Sequence, residues 1–124
     1  MLHHIGYAVG NILGAINDFS TLGEVAILGE KIYDGDQKVF LQMISVNGCF
    51  IELITGEGVE SMVNRGGPYH TCYETNDIVF SIKKMKSCGW TQITPMRSAP
   101  LFNDKRVIFF QKPGMGMVEL LERY

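Results

Sequence analysis

Polar residues interrupt an alternating apolar background at matching places twice along the chain. The first passage reads His4-Ile5-Gly6-Tyr7-Ala8-Val9-Gly10-Asn11-Ile12 and the second His70-Thr71-Cys72-Tyr73-Glu74-Thr75-Asn76-Asp77-Ile78. Aligned without a gap, the histidine, the tyrosine three positions on and the isoleucine eight positions on coincide. Each passage alternates like a strand, and its recurrence predicts a duplicated unit. A helix is expected after each strand. In the first copy Ile12, Ala15, Ile16, Phe19 and Leu22 fall at helical spacing, with Asn11 placed as N-cap and Gly23 after the end. In the second, Ile78, Ile82 and Met85 keep the spacing, with Asp77 as cap and Gly89 as terminator. The separation between Gly23 and Gly89 equals that between His4 and His70.

Strand-like sequence follows each helix, first at residues 25–28 and again at residues 90–94. Asp36-Gln37-Lys38-Val39-Phe40-Leu41 is then echoed by Asp104-Lys105-Arg106-Val107-Ile108-Phe109. Asn47-Gly48 is a strong hairpin signal, and Pro113-Gly114 takes its place in the second copy. Phe50-Ile51-Glu52-Leu53-Ile54 and Met117-Val118-Glu119-Leu120-Leu121 close the two copies as strands. Residues 59–64 predict a helical turn and Arg65-Gly66-Gly67-Pro68 a linker. The order strand, helix and three strands predicts an α+β fold of two tandem βαβββ modules, residues 1–64 and 68–124, within a single domain of residues 1–124. One such module cannot bury both faces of so small a sheet. Two packed together are expected to form a curved sheet around a shared cleft.

Strand parity turns this pattern into chemistry. Ile5, Tyr7 and Val9 share one face of the first strand, suited to lying under the helix, and His4, Gly6 and Ala8 share the other. A histidine beside two very small residues suggests a surface with space in front of it. His70, Cys72 and Glu74 share a face in the second copy. Glu52 and Glu119 each sit in the middle of an otherwise apolar strand. A carboxylate buried there without a partner is costly by several kcal/mol, so it must face water or a cation. The same violation at matching points of both copies points to a purpose. His4, Glu52, His70 and Glu119 make a plausible divalent-metal set, and imidazole with carboxylate suits Ni, Co, Zn, Mn or Fe. Such an ion is a Lewis acid toward a carbonyl, and a glutamate at its edge can take a proton from the adjacent carbon. The chemistry suggested is enolisation, with the metal holding the enediolate.

Composition narrows the classes. Hydrophobic residues are 46% and charged residues 19%, a globular balance. A net charge of −2 supplies no basic patch for nucleic acid, and no apolar run reaches membrane-span length. Met1-Leu2-His3-His4 enters a patterned strand at once, without a secretory layout. Cys49, Cys72 and Cys88, odd in number and widely spaced, fit reduced thiols, so a cytoplasmic location is expected.

At these residues the chain resembles the vicinal oxygen chelate superfamily, which includes glyoxalase I and methylmalonyl-CoA epimerase. The resemblance spans nearly the whole chain. Its closest stretches are His4 to Val9, Tyr69 to Glu74, Lys105 to Phe109 and Val118 to Leu120. Such family members carry a His, Glu-or-Gln, His, Glu metal set, which maps to His4, Glu52, His70 and Glu119. The resemblance implies a metal-dependent epimerase or glyoxalase-type lyase acting beside the carbonyl of a thioester or hemithioacetal, with Glu119 and Glu52 as catalytic residues. It also implies a homodimer. Two positions depart from the epimerase pattern. Tyr69 stands where a second histidine often precedes the ligand, and Gln111-Lys112-Pro113 replaces a familiar His-Pro-Lys. Two other readings compete: an extradiol-type iron dioxygenase, which needs two histidines and one carboxylate, and a metal-free binding or drug-resistance module of the same fold. Cys72 is read as a small buried residue, with a catalytic thiol as the sharper alternative. Lys105 and Arg106 are read as solvated charges that alternatively bind a substrate anion, and His3 as a surface residue.

Overall fold

The computed structural model describes residues 1–123 and divides into two compact units, His4–Tyr69 and the chain from His70 onward together with Met1–His3. The fold is α+β: a βαβββ module is followed by a second in which the strand after the helix is split into two short pieces. The first carries β1 (Leu2–Ala8), α1 (Ile12–Ser20), β2 (Val25–Asp34), β3 (Val39–Val46) and β4 (Cys49–Thr55), then a 3-10 turn (Glu57–Val59) and a short α2 (Glu60–Arg65). The second carries β5 (Pro68–Thr75), α3 (Ile78–Ser87), β6 (Thr91–Gln92), β7 (Arg97–Ala99), a 3-10 turn (Pro100–Phe102), β8 (Lys105–Lys112) and β9 (Gly116–Glu122). Among the described residues, no helix is long and apolar enough to cross a membrane.

In the first unit the strands run β2-β3-β4-β1, with β4 and β1 parallel and the other pairs antiparallel. Asn11 caps α1 by accepting the Gly14 N–H at 2.7 Å. The helix lays Ala15, with Ile12, Ile16 and Phe19, on Ile44, Ile51 and Leu53, and Ile5, Tyr7 and Val9 join this core as their parity requires. Tyr7 and Phe19 meet edge to face at 5.1 Å. The helix stops at Ser20, short of Leu22, which is 73% exposed. Beyond it, Asn47 and Gly48 turn the β3–β4 hairpin with φ of 50° and 83°, and the Asn47 side chain accepts the Glu24 N–H at 2.8 Å. A side chain at Gly23 would run into the Asn47 amide, so glycine serves a close approach there.

The strand expected at residues 25–28 extends to Asp34 through a bulge between Leu28 and Ile32. The Gln42 amide holds the bulge, donating to the carbonyls of Leu28, Gly29 and Met43. Buried Asp34 then organises the β2–β3 turn by accepting the Asp36 and Gln37 N–H groups and the Gln37 side-chain amide. Asp34→Ala is therefore expected to cost about 2–3 kcal/mol, because hydrogen bonds to a buried carboxylate are charge-assisted and their donors would be left behind. Urea denaturation measures this, and a loss below about 0.5 kcal/mol would mean that the turn holds without the carboxylate.

In the second unit the order is β5-β9-β8-β6, with β7 also on β8. Asp77 caps α3 through the Phe80 N–H at 3.0 Å, and the helix packs Ile78, Ile82 and Met85 with Trp90 against Ile108, Phe110 and Leu120. Gly89, at φ 90°, follows its end. One strand was expected at residues 90–94, in the place of β2. The structure has two short ones, β6 and β7, on either side of Pro95. Proline has no N–H for the ladder. In the gap, the Thr94 hydroxyl accepts the Phe109 N–H at 3.1 Å and the Ile93 N–H donates to the Phe109 carbonyl at 2.9 Å. Met1 belongs to this unit, its carbonyl accepting the Glu74 N–H at 2.9 Å.

Candidate metal centre

Each unit brings one histidine and one glutamate together by the same strand register. In the first, Glu52 on β4 lies between Gly6 on β1 and Met43 on β3. In the second, Glu119 on β9 lies between Cys72 on β5 and Phe109 on β8. His4 precedes Gly6 by two residues and His70 precedes Cys72 by two, so each imidazole shares the face of its glutamate. His4 Nε2 lies 3.7 Å from Glu52 Oε1, and His70 Nε2 lies 3.4 Å from Glu119 Oε1. The four side chains belong to residues only 1%, 4%, 3% and 4% exposed for His4, Glu52, His70 and Glu119.

These spacings test whether the residues suit a metal. A direct N–H···O bond is about 2.7–3.2 Å long, shorter than either separation. Two donors each about 2.1 Å from one cation lie about 3.0 Å apart at a right angle and about 3.6 Å apart at 120°. The His70–Glu119 spacing falls within that range and the His4–Glu52 spacing within a tenth of an ångström of it. Neutral imidazole and carboxylate are also the donors that borderline divalent ions take. Each pair could supply two ligands to one ion.

The neighbours on these faces are apolar. Leu41, Met43 and Ile54 are buried beside Glu52, and Val107, Phe109 and Leu121 beside Glu119. The open surface expected in front of His4, Gly6 and Ala8 is not there: all three are buried. Cys72 is fully buried in a cluster with Ala99, Val107 and Leu121, as a small core residue would be. His3 is half-buried and meets Phe102 edge to face at 5.5 Å.

Arg106 faces Glu122, with Nε 2.9 Å from Oε2 and the second guanidinium nitrogen on Oε1. That hydrogen bonding holds the Glu122 carboxyl below its ordinary range and raises the Arg106 guanidinium. Arg106 is thus engaged with its own chain. The residue that sequence reasoning missed is Phe109, whose ring meets His70 edge to face at 5.4 Å and 85°. Pairing back from a two-residue Pro113-Gly114 turn would place it opposite Val118; the turn is one residue longer, with Lys112 paired to Gly116, and that sets Phe109 opposite Glu119.

A family profile of the Glyoxalase/Bleomycin resistance protein/Dioxygenase superfamily matches residues 3–109, and the chain belongs to this superfamily. Methylmalonyl-CoA epimerase from Mycobacterium tuberculosis has a similar structure, with a TM-score of 0.80 at 19% identity over 99% of this chain and 87% of that one. A hypothetical protein from Bacillus halodurans C-125 gives 0.81 at 21% identity over 100% and 94%. A second methylmalonyl-CoA epimerase structure gives 0.74 at 14% identity over 98% and 93%. At these identities the likeness establishes the fold alone. No curated protein matches in sequence.

Proposed function

We propose that His4, Glu52, His70 and Glu119 together hold one divalent metal ion, and that the chain is a metal-dependent isomerase or lyase that removes a proton beside a carbonyl. The observation that carries this reading is the repeated rung: both copies set a buried carboxylate against an imidazole at the same register and at ligand-pair spacing. A bound ion would act as a Lewis acid on the substrate carbonyl. The two imidazoles serve as neutral ligands. A carboxylate oxygen of Glu119 or Glu52 takes the proton from the adjacent carbon, and the apolar neighbours keep water from competing for it. In an epimerase, one carboxylate removes the proton and the other returns one from the opposite face. In a glyoxalase-type lyase, a single carboxylate moves it between neighbouring carbons. A facial-triad dioxygenase would use two histidines and one carboxylate, and the second buried glutamate favours the enolising chemistry over it.

Protein loaded in turn with Ni, Co, Zn or Mn and incubated in deuterated water with methylmalonyl-CoA is expected to place deuterium at the α-carbon. The glyoxalase form is followed by thioester absorbance from methylglyoxal and a thiol. A metal-loaded chain inactive in both assays would rule out enolisation of these substrate classes.

A further inference from the structure

The two half-sites match in register but not in what flanks the glutamate. Opposite Glu52 stands Met43, a flexible thioether, and opposite Glu119 stands Phe109. Phe109 is buried, and its ring stands nearly perpendicular to the His70 ring, with centroids 5.4 Å apart. An edge-to-face contact has a preferred geometry, which a flexible aliphatic chain of similar volume cannot supply. The backbone of Phe109 is fixed as well. Its N–H is taken by the Thr94 hydroxyl, its carbonyl by the Ile93 N–H, and its strand pairs with β9 from Val107 to Lys112. Phe109 thus touches one member of the His70–Glu119 pair and is the rung neighbour of the other.

We infer that Phe109 is a positioning residue for metal binding: its ring holds the His70 imidazole in the orientation that presents Nε2 beside Glu119 Oε1. This inference rests on the metal site proposed above. Hydrogen-bond partners that orient a metal-binding histidine commonly change affinity about 10–100-fold when replaced, and an edge-to-face ring contact is worth less, about 2–10-fold. Met43, the register partner of Glu52, has no ring to offer.

The test is divalent-metal affinity, measured with Zn or Ni against a competing chelator, together with the melting temperature of the metal-free chain. Phe109→Leu is expected to weaken affinity about 5–10-fold, and Phe109→Tyr, which restores the ring, to bring it back within about 2-fold of the unaltered chain. Met43→Leu is the control and should change affinity by less than about 2-fold. A Phe109→Leu chain that binds as tightly as the unaltered one overturns the inference. So does a Phe109→Tyr chain that folds but binds as weakly as the leucine variant, since the ring would then not be the acting feature. An equal loss in Met43→Leu overturns it too, by making the effect one of general packing. An unaltered chain that binds no divalent ion overturns the site itself, a result seen before any variant is made.

Discussion

Glu119→Gln is expected to lower α-proton exchange about 1000-fold, within the range of about 10²–10⁴ that a positioned general base contributes. The amide keeps the size and one oxygen donor of the carboxylate, so His4, Glu52 and His70 should still retain the metal, with affinity reduced about 10-fold. What the amide cannot do is accept the proton. The rate loss corresponds to about 4 kcal/mol in the barrier, far more than metal depletion would produce at saturating metal. Deuterium uptake by NMR or mass spectrometry, beside metal content measured on the same sample, separates the two contributions. Glu52→Gln run in parallel decides between reaction types. Losses of similar size in both variants indicate two carboxylates that exchange roles across the substrate, as epimerisation requires. A Glu52→Gln chain near the original rate indicates a single base, as in a proton shuttle between neighbouring carbons. A metal-loaded Glu119→Gln chain that exchanges at the original rate would remove Glu119 from the chemistry.

Residues whose roles are set locally were legible in the sequence. Asn11 and Asp77 accept the helix N–H groups that their positions called for, and Asn47-Gly48 turns its hairpin. Strand parity placed Ile5, Tyr7 and Val9 against the α1 core, and the two misplaced glutamates marked the centres of the two rungs. Features that depend on distant pairing were not legible. The length of β2 depends on a bulge held by Gln42, fourteen positions from Leu28, and nothing in the Val25 to Leu28 pattern announces it. The counterpart breaks because Pro95 interrupts the ladder, although only the pairing to β8 reveals that Thr94 fills the gap. Phe109 drew no reading of its own, because its edge-to-face contact with His70 requires the register of β8 against β9. The closed surface over His4 was misjudged for a related reason: small side chains can mark close packing as readily as empty space, and burial is a property of the folded chain.

Burial of both carboxylates makes a second prediction whose sign is unusual for a core substitution. Glu119 lies among Val107, Phe109 and Leu121, with His70 Nε2 3.4 Å from its Oε1. Removing one partner of a buried charged pair commonly costs about 3–5 kcal/mol, whereas replacing the whole pair by apolar residues of similar volume is often neutral to stabilising, by up to about 1–4 kcal/mol. The double variant His70→Leu with Glu119→Met should therefore raise the stability of the metal-free chain by about 1–2 kcal/mol. Metal reverses the order. An ion that binds the folded state at about 100 times its dissociation constant stabilises the unaltered chain by about 2.7 kcal/mol, while the variant, short of both ligands, gains little. Urea denaturation in chelator and again in excess Zn or Ni should give crossing ranks, the variant ahead without metal and behind with it. A variant at least 1 kcal/mol weaker in chelator would mean that the buried His70–Glu119 pair itself supports the metal-free fold. Crossing ranks would mean that the apolar rungs around Glu52 and Glu119 are tolerable because a cation is part of the folded state for which they are built.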